Sequence, residues 1–146
     1  YTWTPGRKSH IDGPCSRFHI CRLKSGRLLM INHNNFNERI DLDDIMNQGN
    51  VKKWKGRSHL TAMLSEDDGE TWPYKLLLDE RNEASYPDAK EADDGYIYVT
   101  YDWERVKERE ILMARFTEED IIKGKIESEG RLSVAVNKAL GQPDIQ

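Results

Sequence analysis

Apolar and polar positions alternate with a period of two along most of the chain, the spacing of half-buried strands. Stretches 19–23 and 27–33 flank Lys24-Ser25-Gly26, a glycine-bearing turn that predicts a hairpin. Stretches 59–64 and 74–78 flank a polar loop over 65–72, while 86–92 and 96–103 flank Asp93-Asp94-Gly95 as another hairpin. One more strand is predicted over 110–116. A single short helix is predicted from Thr117, with Asp120 three residues on as its capping-box partner, to a stop near Gly124. Residues 34–53, rich in Asn and Asp, break the alternation and read as a long irregular insertion with a helical turn around 42–46.

The alternation itself repeats. Trp3 lies 14 residues before Arg17 and 23 before Gly26, and Trp72 stands in the same relation to Tyr86 and Gly95, an offset of 69 throughout. An alternating strand follows each glycine. Without the insertion the unit is about 50 residues, which suits a four-stranded propeller blade.

Composition narrows the function classes. The chain has 146 residues, 22 basic against 26 acidic, for a net charge of −4 with 33% of residues charged. That is one domain with nearly balanced signs, not the basic stripe of a nucleic-acid protein or a disordered acidic tail. The longest apolar stretches, 28–31 and 76–78, fall far short of the ~20 residues of a membrane-spanning helix. Cys15 and Cys21 are six apart with neither CxxC nor zinc-finger spacing, so no disulfide scaffold is expected, and Cys21 reads as a small buried apolar group. No metal site or cofactor is expected. No targeting segment is legible, and localisation stays open.

The loop over 65–72 carries the strongest motif, Ser65-Glu66-Asp67-Asp68-Gly69-Glu70-Thr71-Trp72, or S-x-D-x-G-x-T-W. Ser65 and Asp67 can accept bonds from turn N–H groups, Gly69 supplies a positive φ, and Trp72 plugs the hairpin onto the sheet. This motif resembles the Asp box of sialidases and other propellers with bacterial-neuraminidase repeats, where it is structural and lies away from the active site. The run from Gly56 to Trp72, then Ser85-Tyr86-Pro87-Asp88 and Asp94-Gly95-Tyr96-Ile97-Tyr98, resembles the C-terminal part of that superfamily.

The resemblance implies an all-β fold: a little over two blades of a six-bladed propeller, with one short helix near the C-terminus. Residues 1–16 would end a preceding blade, with Trp3 closing a truncated Asp box. Residues 17–78 would form a blade with the insertion, and 79–146 the last blade plus helix and tail. Sialidases hold the substrate carboxylate with three arginines and attack with a tyrosine whose proton passes to a glutamate. The third arginine fits Arg57 and the tyrosine fits Tyr86. Arg17 occupies the position of the glutamate, and His33 that of the second arginine. Asp102, the repeat equivalent of His33, is placed toward the same channel. The first arginine and the catalytic aspartate are expected upstream of these residues.

The function implied is hydrolysis of a glycoside of an anionic or polyhydroxylated sugar, with Tyr86 catalytic and Arg57, Arg17, His33 and Asp102 binding substrate. Two alternatives stand beside it: a carbohydrate-binding propeller without catalysis, and a uronate lyase in which Tyr86 and His33 abstract a proton. The partners expected are a carbohydrate ligand and either further blades or self-association over the open sheet edges, with no nucleic acid or membrane.

Overall fold

The computed structural model describes residues 2–6, 9–11, 13–14, 16–34 and 57–140. Cys15, the expected helical turn at 42–46 and nearly all of the insertion lie outside the described residues. Strands β1 (His19–Arg22), β2 (Leu28–His33), β3 (Leu60–Ser65) and β4 (Tyr74–Asp79) form one antiparallel sheet in sequence order. A second sheet repeats the arrangement with β5 (Ala84–Glu91), β6 (Ile97–Trp103), β7 (Glu110–Phe116) and β8 (Arg131–Lys138). Helix α1 (Glu118–Lys123) lies between β7 and β8.

The all-β architecture with one short helix is as the sequence predicts. Strand β8 is the addition. Its Leu132 and Val134 do alternate, but it pairs only with β7 and most of its residues face solvent, so its apolar signal is weak.

One face of each sheet supplies the core. Cross-strand partners Leu29 and Leu64, Ile31 and Ala62, and His33 and Leu60 share a face of the first sheet. They meet the face of the second sheet that carries Ile97, Val99, Tyr101, Leu112, Ala114 and Phe116. Cys21 packs partly buried against this core, and burial pushes its thiol pKa up.

The repeat is visible in the turns. Leu23 donates to Arg27 and Gly26 to Leu23 in the first hairpin; Ala92 donates to Tyr96 and Gly95 to Ala92 in the second, at an offset of 69. Gly26 and Gly95 take φ values of +93° and +82°, which a side chain would strain. At this end Lys24 bridges the sheets, its backbone N–H reaching Glu91 at 2.7 Å and its ammonium Asp93 at 2.9 Å.

The Asp box closes the β3–β4 connection at the same end. Ser65 Oγ accepts from Gly69 N–H at 2.9 Å, and Asp67 accepts from the Thr71 N–H at 2.8 Å and the Thr71 hydroxyl. Those bonds hold the exposed Asp67 carboxyl down at about 2. Trp72 Nε1–H donates to the Gly69 carbonyl at 3.2 Å. Trp3, its counterpart in the repeat, is 96% exposed.

Candidate functional site

The chemistry gathers at the opposite end of the sheets, where β2 and β6 finish and β3 and β5 begin. Three connections meet there. The Glu83 N–H donates to the Arg57 carbonyl at 2.8 Å, and the Glu104 N–H donates to the Glu83 carbonyl at 3.4 Å. His59, Glu83, Tyr86, Glu104 and Arg109 all have φ between +45° and +65°. A non-glycine residue in that region costs about 1–3 kcal/mol and persists only where its surroundings hold it. Such strain concentrates at functional sites.

Tyr86 sits in a β-bulge. Ser85 pairs with Asp102 and Asp88 with Thr100, so Tyr86 and Pro87 together oppose Tyr101. Pro87 has no N–H to give a ladder, and the bulge is one of the few places in a sheet that tolerates it. The bulge re-aims Tyr86 outward, leaving it 38% exposed between two guanidinium groups. The Arg105 guanidinium carbon lies 3.8 Å from the ring centroid and that of Arg57 lies 5.5 Å away. Hydrogen bonding and charge from Arg105, with Arg57 adding to them, lower the phenol's pKa from its ordinary value.

A cavity of about 450 Å³ opens at this end, lined by Arg57, Arg105, Val106, Lys107, Glu83, Glu104 and Ser85; Tyr86 is not part of its wall and meets it only through the two arginines. It offers cations for an anionic group and carboxylates for proton transfer. Among the described residues no cluster of His, Cys, Asp or Glu is arranged to hold a metal ion.

The expected residues fall into two groups. Arg57 and Tyr86 come together, the guanidinium carbon 5.5 Å from the ring centroid. Asp102 is nearby but engaged: Ser85 Oγ–H donates to its Oδ1 at 2.8 Å, and Arg105 Nε meets its Oδ2 at 2.5 Å. His33 is sealed between the sheets at 2% exposure, its Nε2 2.8 Å from the Ala84 carbonyl oxygen. Burial, reinforced by the nearby Arg57 charge, lowers the His33 pKa despite that bond, so the imidazole is neutral rather than a cation for a substrate carboxylate. Arg17 is engaged further along β5. It pairs with Asp88 at 3.4 Å, and His19 holds the other oxygen of that carboxylate at 2.9 Å.

The sequence reading missed Arg105, Glu83, Glu104 and Lys107. The 69-residue offset carries Arg105 and Lys107 onto positions 36 and 38, inside the insertion, so the repeat gave no counterpart to flag them. The usable signal was topological: the loop after Trp103 must emerge at the end where Tyr86 begins its strand.

A profile of the BNR repeat-like domain matches residues 1–99. Comparison with curated proteins and with solved structures gives no match.

Proposed function

The chain belongs to the BNR repeat-like family, within the sialidase superfamily, and on that premise we propose that it serves hydrolysis of glycosides of an anionic sugar. One observation carries the reading: Tyr86 stands exposed on a strained bulge with Arg57 and Arg105 against its ring. An unassisted phenol has a pKa near 10 and is a poor nucleophile at neutral pH; adjacent cations stabilise its anion.

In this scheme Arg57 receives the sugar carboxylate, the Tyr86 oxygen bonds to the anomeric carbon, and the glycosidic C–O bond breaks. The phenolic proton passes to a carboxylate of the cavity wall, Glu83 or Glu104. An aspartate from another blade protonates the leaving oxygen and then activates the water that releases the sugar. Tyrosine is the known departure from the usual two-carboxylate arrangement.

The same premise makes the two sheets consecutive blades of a six-bladed propeller, with the other blades elsewhere in the protein. Two observations support it. Each sheet has four antiparallel strands in sequence order, and the first strands of the two, β1 and β5, lie against each other.

A second reading is a carbohydrate-binding propeller without catalysis. It is favoured by Arg17, a residue unable to act as a base, paired with Asp88 at 3.4 Å. A uronate lyase using His33 as base is the weaker alternative, because that ring is buried at 2% exposure with its Nε2 on the Ala84 carbonyl.

The test is turnover of a fluorogenic sialoside and of a panel of uronate polymers by the protein with all its blades. Hydrolysis that falls more than about 10³-fold in Tyr86→Phe, with ligand affinity kept, is the expected result. Saturable binding without turnover would replace the hydrolase with the binding module, and unsaturated products from uronates would replace it with the lyase.

A further inference from the structure

We infer that Ser85, Asp102 and Arg105 form a relay whose end, the Arg105 guanidinium, is a positioning group for Tyr86: it holds the ring in place and sets a cation against it.

The relay is rooted in the sheet. Ser85 and Asp102 are cross-strand partners on β5 and β6, and the Ser85 hydroxyl donates to Asp102 Oδ1 at 2.8 Å. The other oxygen takes Arg105 Nε at 2.5 Å. Asp102 is only 9% exposed, so its charge is poorly solvated and stays committed to that cation. With Nε tied down, the guanidinium plane is held over Tyr86, 3.8 Å from the ring centroid. Arg105 is otherwise an exposed loop residue, free to swing into solvent; two charge-assisted bonds in series prevent it.

Charges around the ring favour the anion. Arg105 comes from the β6–β7 loop and Arg57 from the segment entering β3. Glu83 and Glu104 line the cavity with Lys107, and Lys107 lies 3.6 Å from Glu104. Asp88, further along β5, is already engaged by His19 and Arg17. The two groups packed on the ring are both cations. Among the described residues the first sheet has no such relay, since the position equivalent to Asp102 is His33.

The inference rests on the reading of Tyr86 as the reacting group only for its catalytic consequence. Its test needs no substrate. The ultraviolet difference titration of the protein against Tyr86→Phe isolates this one phenol among the 6 tyrosines. The midpoint is expected below that of an ordinary exposed tyrosine. Arg105→Gln should move it up most of the way to that ordinary value, Arg57 still acting on the ring; Asp102→Asn should move it less far, and Arg105→Lys should restore some of the lost effect. Arg115→Gln, which removes a guanidinium stacked on Tyr96, should leave it unchanged. Arg105 is on the surface, so its variants test the idea even where Asp102→Asn folds poorly. An ordinary midpoint in the unaltered protein, or one that Arg105→Gln leaves in place, overturns the inference. Neither result depends on whether a sialoside is hydrolysed, so hydrolysis and relay fail separately.

Discussion

Arg57 is the one arginine buried among the described residues, at 5% exposure, and a buried guanidinium is retained where its fork has work that a point charge cannot do. If that work is to hold a carboxylate, Arg57→Lys keeps the charge and loses the bidentate geometry. Affinity for sialic acid by isothermal titration should fall at least about tenfold, or about 1.4 kcal/mol. Equal affinity in a variant that melts normally would remove Arg57 from the site. His33 makes a different prediction. Burial lowers its pKa in the folded chain from the ordinary 6.5, while the unfolded chain keeps the ordinary value. As pH falls through about 6.5 the unfolded state takes up a proton that the folded state refuses, so stability is present above that pH and lost below it. Melting temperature should therefore drop between about pH 7 and 5, a window above the range where depressed carboxylates such as Asp79 and Asp120 begin to protonate. His33→Gln, which can still donate to Ala84, should flatten the slope. An unchanged slope would show that His33 does not set it.

At the scale of elements, helix α1 shows how one side chain organises a segment. Asp120 Oδ2 accepts from the Thr117 N–H and hydroxyl, completing the capping box the sequence predicts. The same carboxylate then does what the sequence did not reveal: Oδ1 accepts the Glu127 and Ser128 N–H groups at 2.8 and 3.0 Å and Oδ2 the Ser128 hydroxyl, pinning the chain that leads to β8. Burial opposes the charge, and these bonds outweigh it, holding the carboxyl well below its usual range. Asp120→Ala strips partners from three backbone N–H groups at once and should cost about 3 kcal/mol in urea unfolding. A loss below about 1 kcal/mol would mean the segment is held by packing instead. Local chemistry of this kind is what a sequence displays: alternation, glycine turns, the Asp box and the cap all depend on neighbours within a few residues. What it hides is set by contacts between distant segments. Arg17 and Tyr86 are equivalent in the repeat, yet Arg17 is drawn to Asp88 from another strand. His33 and Asp102 are equivalent too, yet one is sealed against Ala84 and the other tied to Arg105. Arg105 carries no periodic or motif signal, because its role comes from a bulge in a different strand.

For the whole molecule the asymmetry between the sheets matters most. Every residue of β3 is buried, and all but the first of β2, so the two central strands of the first sheet are covered on both faces. Gly13, which lies against Asn32, contributes to that cover. The central strands of the second sheet are fully covered on one face and only partly on the other. That partly covered face carries Tyr98, Thr100, Met113 and Ile111, the last 41% exposed, and beyond it β8 runs as an unpaired edge with Val136 at 58% exposure. In a closed propeller a following blade covers such a face, and edges are short or protected. On the proposed propeller reading that blade lies outside these residues, and a second copy of the chain is the substitute available to them. The isolated 146 residues, at 17.0 kDa, should therefore run by size exclusion with light scattering above the monomer mass. They should also bind a dye for exposed apolar surface. Ile111→Lys with Met113→Lys places charge on that face without touching the core side of β7, and should return the mass toward one chain with the melting curve preserved. On that reading, a longer chain carrying the proposed further blades should do the same with no substitution. A cooperatively melting monomer from the unaltered chain, with no dye binding, would mean that the second sheet needs no neighbour and that the two sheets form a closed unit rather than part of a ring.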